Sequence, residues 1–188
     1  MILSLFGKKP TLENARTLYA ATIEQARIPY FYSDLGVPDT VEGRFEVLSL
    51  HIYALLKRFK RQSAEADAFA QAFFDVFFNN MDDSLREMGV GDMTIGRKIR
   101  TMAETFYGRV AAYETALDND DENQLAEAVA RNVFTSNEAA DGLQMAQYLT
   151  GLVRAFEEQP LDSLMAGTVS FPAPDQAFND SATRKTDV

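Results

Sequence analysis

Few side chains in this sequence could carry chemistry, and their spacing limits what they can do. His51 is the only histidine, so a serine-type triad or an imidazole metal site would depend on it alone. It sits between Leu50 and Ile52, and no ligand or nucleophile accompanies it at a matching spacing. A di-iron bundle would need Glu-x-x-His twice, and the position three before His51 is Leu48. The ring is therefore expected to make a structural hydrogen bond within a helix. There is no cysteine, which removes disulfides, thiolate metal sites and thiol nucleophiles together.

Two acidic clusters invite a metal reading. Asp118-Asn119-Asp120-Asp121-Glu122 starts like a calcium loop, but its sixth position is Asn123 where glycine is needed, and its twelfth is Val129, which cannot chelate. Acidic residues before a helix N-terminus explain it better. Asp82-Asp83 with Glu87 and Asp92 could hold a divalent ion in a helical enzyme, although no second acidic motif at helical spacing supports diphosphate-magnesium chemistry. Gly89-Val90-Gly91 follows no strand and precedes no Lys-Ser or Lys-Thr at phosphate-loop spacing, so a helix-helix turn is expected there.

Two basic clusters differ in their position along the helices. Lys57, Arg58, Lys60 and Arg61 fall near a predicted helix C-terminus, where the helix dipole favours cations. Arg97, Lys98 and Arg100 fall near a predicted N-terminus, where each cation costs ~0.3–1 kcal/mol before screening. Asp92 and Glu104 offset this in part, and a sequence that tolerates the cost suits the presentation of positive charge to a partner.

The elements that must position these groups read as helical. Apolar residues recur at three- and four-residue spacing, and two-residue alternation never persists over a strand's length. The 188 residues, 46% of them apolar, suit one compact domain. Six helices are predicted, the first over 11–28 from a Thr11 cap to Pro29, with Leu12, Ala15, Tyr19, Ile23 and Ala26 on one face. After a loop from Tyr30 to Asp39, Asp39 or Thr40 caps a second helix to about Arg61, with Val41, Phe45, Leu48, Ile52, Leu55 and Phe59 inward.

The third helix, over 64–88, carries Phe69, Phe73, Phe74, Val76, Phe77, Phe78, Met81 and Leu85 across an arc of roughly 200°. Such a width predicts a mostly covered helix with an apolar flank left over. Asn80 in mid-stripe predicts a bend or an end there. The fourth helix runs from Thr94 to Leu117, the fifth from Asp120 to Thr135 and the sixth from Glu138 to Glu158, followed by a short apolar piece, Leu161 to Met165. Residues 1–166 are thus expected to form the domain and 167–188, with Pro172 and Pro174, a polar, disordered tail.

Net charge is −10, but residues 1–110 balance 14 Lys and Arg against 14 Asp and Glu, whereas residues 111–188 hold 4 against 14. Direct DNA binding is not expected, because phosphate neutralisation needs a concentrated basic face. No apolar run approaches the ~20 residues that span a bilayer. Met1-Ile2-Leu3-Ser4-Leu5-Phe6 precedes Lys8-Lys9, the reverse of a signal peptide's order, so neither secretion nor membrane spanning is expected.

Two segments resemble a known family. Gly36-Val37-Pro38-Asp39-Thr40, Gly43-Arg44-Phe45-Glu46 and Leu50-His51 are similar to the N-terminal signature of the ubiquinol-cytochrome c chaperones. Asp82-Asp83-Ser84-Leu85-Arg86-Glu87-Met88-Gly89-Val90-Gly91-Asp92, with Arg97-Lys98 and Phe106-Tyr107-Gly108-Arg109, resembles their central signature. The second string is the more specific, and together they span about residues 36–110.

The resemblance implies an all-α, non-catalytic chaperone without a cofactor that binds newly synthesised cytochrome b and helps deliver it into the cytochrome bc1 complex. Mitochondrial relatives work with a smaller partner protein and the translating ribosome, which extends the expected partners to both. No transit peptide is apparent, so the likeness is to a bacterial-type member in the cytoplasm, at the periphery of the inner membrane. On this reading Asp82, Asp83, Arg86, Glu87, Asp92, Arg97, Lys98, Arg100, Tyr107 and Arg109 contact the partner. Gly36, Pro38, Asp39, Arg44, Phe45, His51, Gly89, Gly91, Phe106 and Gly108 shape the fold. The alternatives are a divalent-metal enzyme on Asp82, Asp83, Glu87 and Asp92, and a structural adaptor for a folded partner.

Overall fold

A computed structural model describes residues 8–136 and 138–175, and these are helical and without strands. Six longer helices carry the body: α1 (Lys8–Ala26), α3 (Val41–Phe59), α4 (Ala64–Glu87), α5 (Asp92–Asp118), α6 (Glu122–Val133) and α7 (Ala139–Glu158). Two short ones, α2 (Tyr30–Ser33) and α8 (Leu161–Met165), fill connections. The all-α, six-helix expectation is met.

Local chemistry sets the boundaries. Thr40, Ser63 and Asp121 cap α3, α4 and α6, their side-chain oxygens accepting from the backbone amides of Gly43, Ala66 and Gln124. The first helix is already formed at Lys8, the first described residue, ahead of the expected Thr11 cap. Its end comes at Ala26, and Pro29, its φ already near helical at −55°, opens α2 inside the stretch expected to be loop.

Helix α4 closes on Gly89 at φ +79°, where the Gly89 amide bonds Arg86 O at 2.9 Å and the Val90 amide bonds Leu85 O at 3.1 Å. That pairing satisfies the last carbonyls and needs a residue tolerant of the left-handed region. Gly91 is the extended N-cap of α5, with φ −66° and ψ 142°, and has no such need. The turn expected from both glycines therefore rests on Gly89.

Helix α3 is central, packing against α1, α4, α6 and α7, while α6 and α7 form a close hairpin. Its Leu50, Ile52, Leu55 and Phe59 are fully buried together with Phe31, Phe73, Phe77, Phe106 and Phe156. Each such side chain contributes roughly 1.5–3 kcal/mol. Two predicted core positions turn outward at helix starts: Leu12 is exposed, and Val41 is 61% exposed. Asn80 does not end α4, and its Oδ1 accepts from the Tyr19 hydroxyl of α1 at 2.9 Å, which gives the amide oxygen a partner inside the apolar stripe.

The body also continues beyond the expected boundary at 166. Gln159 holds both the amide and the carbonyl of Ser170 at 2.8 Å, Phe171 packs edge-on against His51 and Phe156, and Pro174 is buried. Residues 167–175 are thus a packed strap, corrected from tail. The expectation of disorder for 176–188 lies outside the described residues.

Candidate partner-binding groove

The two family-like segments meet around one apolar groove of about 240 Å³. Its first wall is the start of α3 and the loop before it. Gly36 at φ +74° turns that loop, and Pro38 then lies so close to α3 that a Cβ on Gly43 would stand 2.0 Å from Pro38 O. Only glycine fits there. The approach places Val41, Arg44, Phe45 and Leu48 along the groove.

Arg44 is fixed twice, by Asp39 at 2.6 Å and by the Tyr32 ring, 5.1 Å from guanidinium carbon to centroid. Tyr32 is itself anchored by its hydroxyl on Ala26 O at 2.7 Å, and Phe45 stacks on Phe77 with centroids 6.0 Å apart. The opposite wall is the end of α4, with Met81, Leu85 and Met88, to which α5 adds Met102 and α1 adds Ile23 and Ala26, followed by Arg27 just beyond its end. The lining holds two arginines and no carboxylate. Met88, at the C-cap of α4, is 54% exposed.

Beside the groove, Arg86 binds both Asp82 at 2.6 Å and Asp92 at 2.5 Å and so ties the end of α4 to the start of α5. All three are substantially exposed, so solvent screens both pairs and they tie the two helix ends together more than they stabilise the fold. Asp83 and Glu87 are exposed apart from them. Among the described residues no three His, Asp or Glu side chains gather as metal ligands, and two of the four carboxylates proposed for a metal enzyme hold Arg86 instead. That alternative gains no support.

Arg97, Lys98 and Arg100 are exposed on the second and third turns of α5, with no ion pair among the described residues. Tyr107 is 58% exposed and 5.8 Å from the half-buried Phe74, so the flank predicted from the wide phenylalanine arc exists, over Phe74, Phe78 and Tyr107. Phe106 is buried beneath it. Gly108 is exposed, and a Cβ there would meet nothing.

Arg109 does not share the expected surface. Its Nε and Nη2 donate to the two carboxylate oxygens of Glu46 on α3, a bidentate pair with side chains only 15% and 8% exposed. Burial pushes the Glu46 carboxyl up to about 7, with Arg109 pulling it down. The pair clamps α5 onto α3.

The Lys57–Arg61 cluster is also structural in large part. Lys57 pairs with Asp118 and Lys60 with Glu114, while Arg58 donates to Phe156 O at 2.8 Å and Gln159 O at 3.2 Å at the end of α7.

His51 is fully buried, with Nδ1 2.7 Å from Val47 O and Nε2 2.8 Å from the Tyr148 hydroxyl, as expected of a structural helix histidine. The sequence reading missed Arg27, Met88 and Met102 of the groove and the buried acid Glu46. A methionine at a helix C-cap was the available signal for Met88. Nothing local marked the others.

Residues 33–171 match the family described as ubiquinol-cytochrome C chaperone. The crystal structure of the Cbp3 homolog from Brucella abortus is similar at 36% identity and a TM-score of 0.82, over 94% of this chain and 99% of that one. Ubiquinol-cytochrome-c reductase complex assembly factor 1 of Xenopus laevis is 26% identical over 150 residues, 80% of this chain and 73% of the frog protein. The human protein of that name is 24% identical, and the match covers 84% of this chain but 53% of the human one.

Proposed function

The chain belongs to the ubiquinol-cytochrome C chaperone family, and from that membership we propose that it is a non-catalytic assembly factor for the ubiquinol-cytochrome c reductase complex that holds newly made cytochrome b. The frog and human relatives carry the name of assembly factors for that complex. The observation that carries the reading to particular residues is the convergence of the two family-like segments. Arg44 and Phe45 from the first, and Leu85 and Met88 from the second, line the same apolar groove.

An apolar groove beside a basic helix start suits a client of apolar helices joined by charged loops. The contact surface of this reading comprises the groove, the exposed Asp83, Glu87, Arg97, Lys98 and Arg100, and the Phe74–Tyr107 flank. A small partner chaperone, the ribosome and the membrane periphery are further contacts of the same proposal. No helix among the described residues is long and apolar enough to cross a membrane.

Affinity capture of the tagged chain from its host during active synthesis tests the reading. Cytochrome b should co-purify ahead of other membrane proteins, and capture without such enrichment would refute it.

A further inference from the structure

We infer that the groove receives one apolar turn of a helix that carries an acidic side chain beside it, with the carboxylate paired to Arg27. The inference deepens, and rests on, the proposed holding of a membrane-protein client.

Charge decides the chemistry of the occupant. Two guanidiniums and no carboxylate line the groove, although Asp and Glu outnumber Lys and Arg by 28 to 18 in the chain. Arg44 is already neutralised by Asp39 and held on Tyr32. Arg27, exposed just beyond the end of α1, has no ion pair among the described residues and is the charge left for an incoming group. An acidic side chain is the complement, while a basic one would be repelled by Arg27.

Shape decides the rest. A groove of about 240 Å³ has room for apolar side chains from one helical turn but not for a whole helix. Met81, Met88 and Met102 line it with side chains that repack around different apolar shapes. Val41 and Met88 stand at the mouth, 61% and 54% exposed, at a helix start and a helix end where polar residues would serve the fold as well. An apolar partner gives them something to cover.

The test is fluorescence anisotropy with the full chain and two designed helical peptides, each with a leucine-rich turn followed by one Glu or, in the second, one Lys. The parent should bind the Glu peptide at least about tenfold tighter than the Lys peptide. Arg27→Glu should reverse that order, which a folding defect cannot do, and Val41→Gln with Met88→Gln should weaken both peptides. Equal binding of the two peptides, unchanged in Arg27→Glu, would overturn the inference, as would self-association of the parent through Val41 and Met88 that excludes peptide. Cytochrome b capture that persists without peptide discrimination overturns this inference and leaves the proposed holding of cytochrome b standing. Discrimination through Arg27 without any cytochrome b capture supports the inference and sinks that reading.

Discussion

The Tyr148 hydroxyl of α7 donates to Nε2 of His51 on α3 at 2.8 Å, across 97 positions of sequence. Nδ1 faces the Val47 carbonyl at 2.7 Å and so must carry the ring proton, which leaves Nε2 as the acceptor. Gln25 of α1 donates to the Tyr148 oxygen at 3.1 Å and to Pro172 O at 3.3 Å, so one polar chain joins α1, α3, α7 and the C-terminal strap. Tyr148→Phe removes the donor and leaves a buried imidazole nitrogen unpaired. Denaturant unfolding should show a loss of ~1–3 kcal/mol with little change in helix content.

The same ring sets a pH dependence. Burial lowers the His51 pKa from its usual 6.5 to about 4, so between those values the unfolded chain takes up a proton that the folded one refuses. Its contribution is present above pH 6.5 and is lost as pH falls toward 4, by up to ~3 kcal/mol. Glu46 acts oppositely. Its carboxyl is raised from 4.5 to about 7, so through that window stability falls as pH rises. In Glu46→Gln, which is less stable overall because Arg109 loses its partner, thermal melts should lose stability on acidification more steeply than the parent does. Parallel curves would rule out this opposition.

Replacing Arg97, Lys98 and Arg100 together with Ala should leave melting nearly unaltered, since all three are exposed and lie past the first turn of α5, beyond the reach of the helix dipole. The same triple variant should retain less cytochrome b, and its remaining capture should respond less to salt. Equal retention by variant and parent at low and moderate salt would remove these residues from the contact surface.

The glycines separate by backbone demand. Gly89→Ala places a side chain at φ +79° and should cost ~1–3 kcal/mol, and Gly43→Ala, which drives a Cβ into Pro38 O, a similar amount. Gly91→Ala, with extended backbone and nothing within 4 Å, should stay within ~0.5 kcal/mol. Matched melts of the three variants decide it.

At the C-terminus, Phe171→Ala should destabilise by ~1–3 kcal/mol, less than the ~3–5 of a fully buried phenylalanine because Phe171 is partly exposed. Removal of residues 176–188, beyond the family match that ends at 171, should leave melting and cytochrome b capture unchanged. A capture loss with normal melting would give those residues a binding role.

The sequence by itself determined the helices and their family. Apolar spacing near 3.6 residues, the Thr40 cap and the Gly89 stop are local signals, and the string from Asp82 to Asp92 is specific enough to carry the resemblance. Tertiary structure decided which faces meet. Periodicity says that Asn80, Glu46 and His51 lie among buried positions, but their partners Tyr19, Arg109 and Tyr148 stand 61, 63 and 97 positions away. For that reason Arg109 read as surface charge and Asn80 as a break, and the groove, drawn from five helices, could not be seen. Residues 167–175 repeat no period at all, and tertiary contacts, among them the hydrogen bonds of Gln159 to Ser170 and of Gln25 to Pro172 and the packing of Phe171 on His51 and Phe156, make them part of the body.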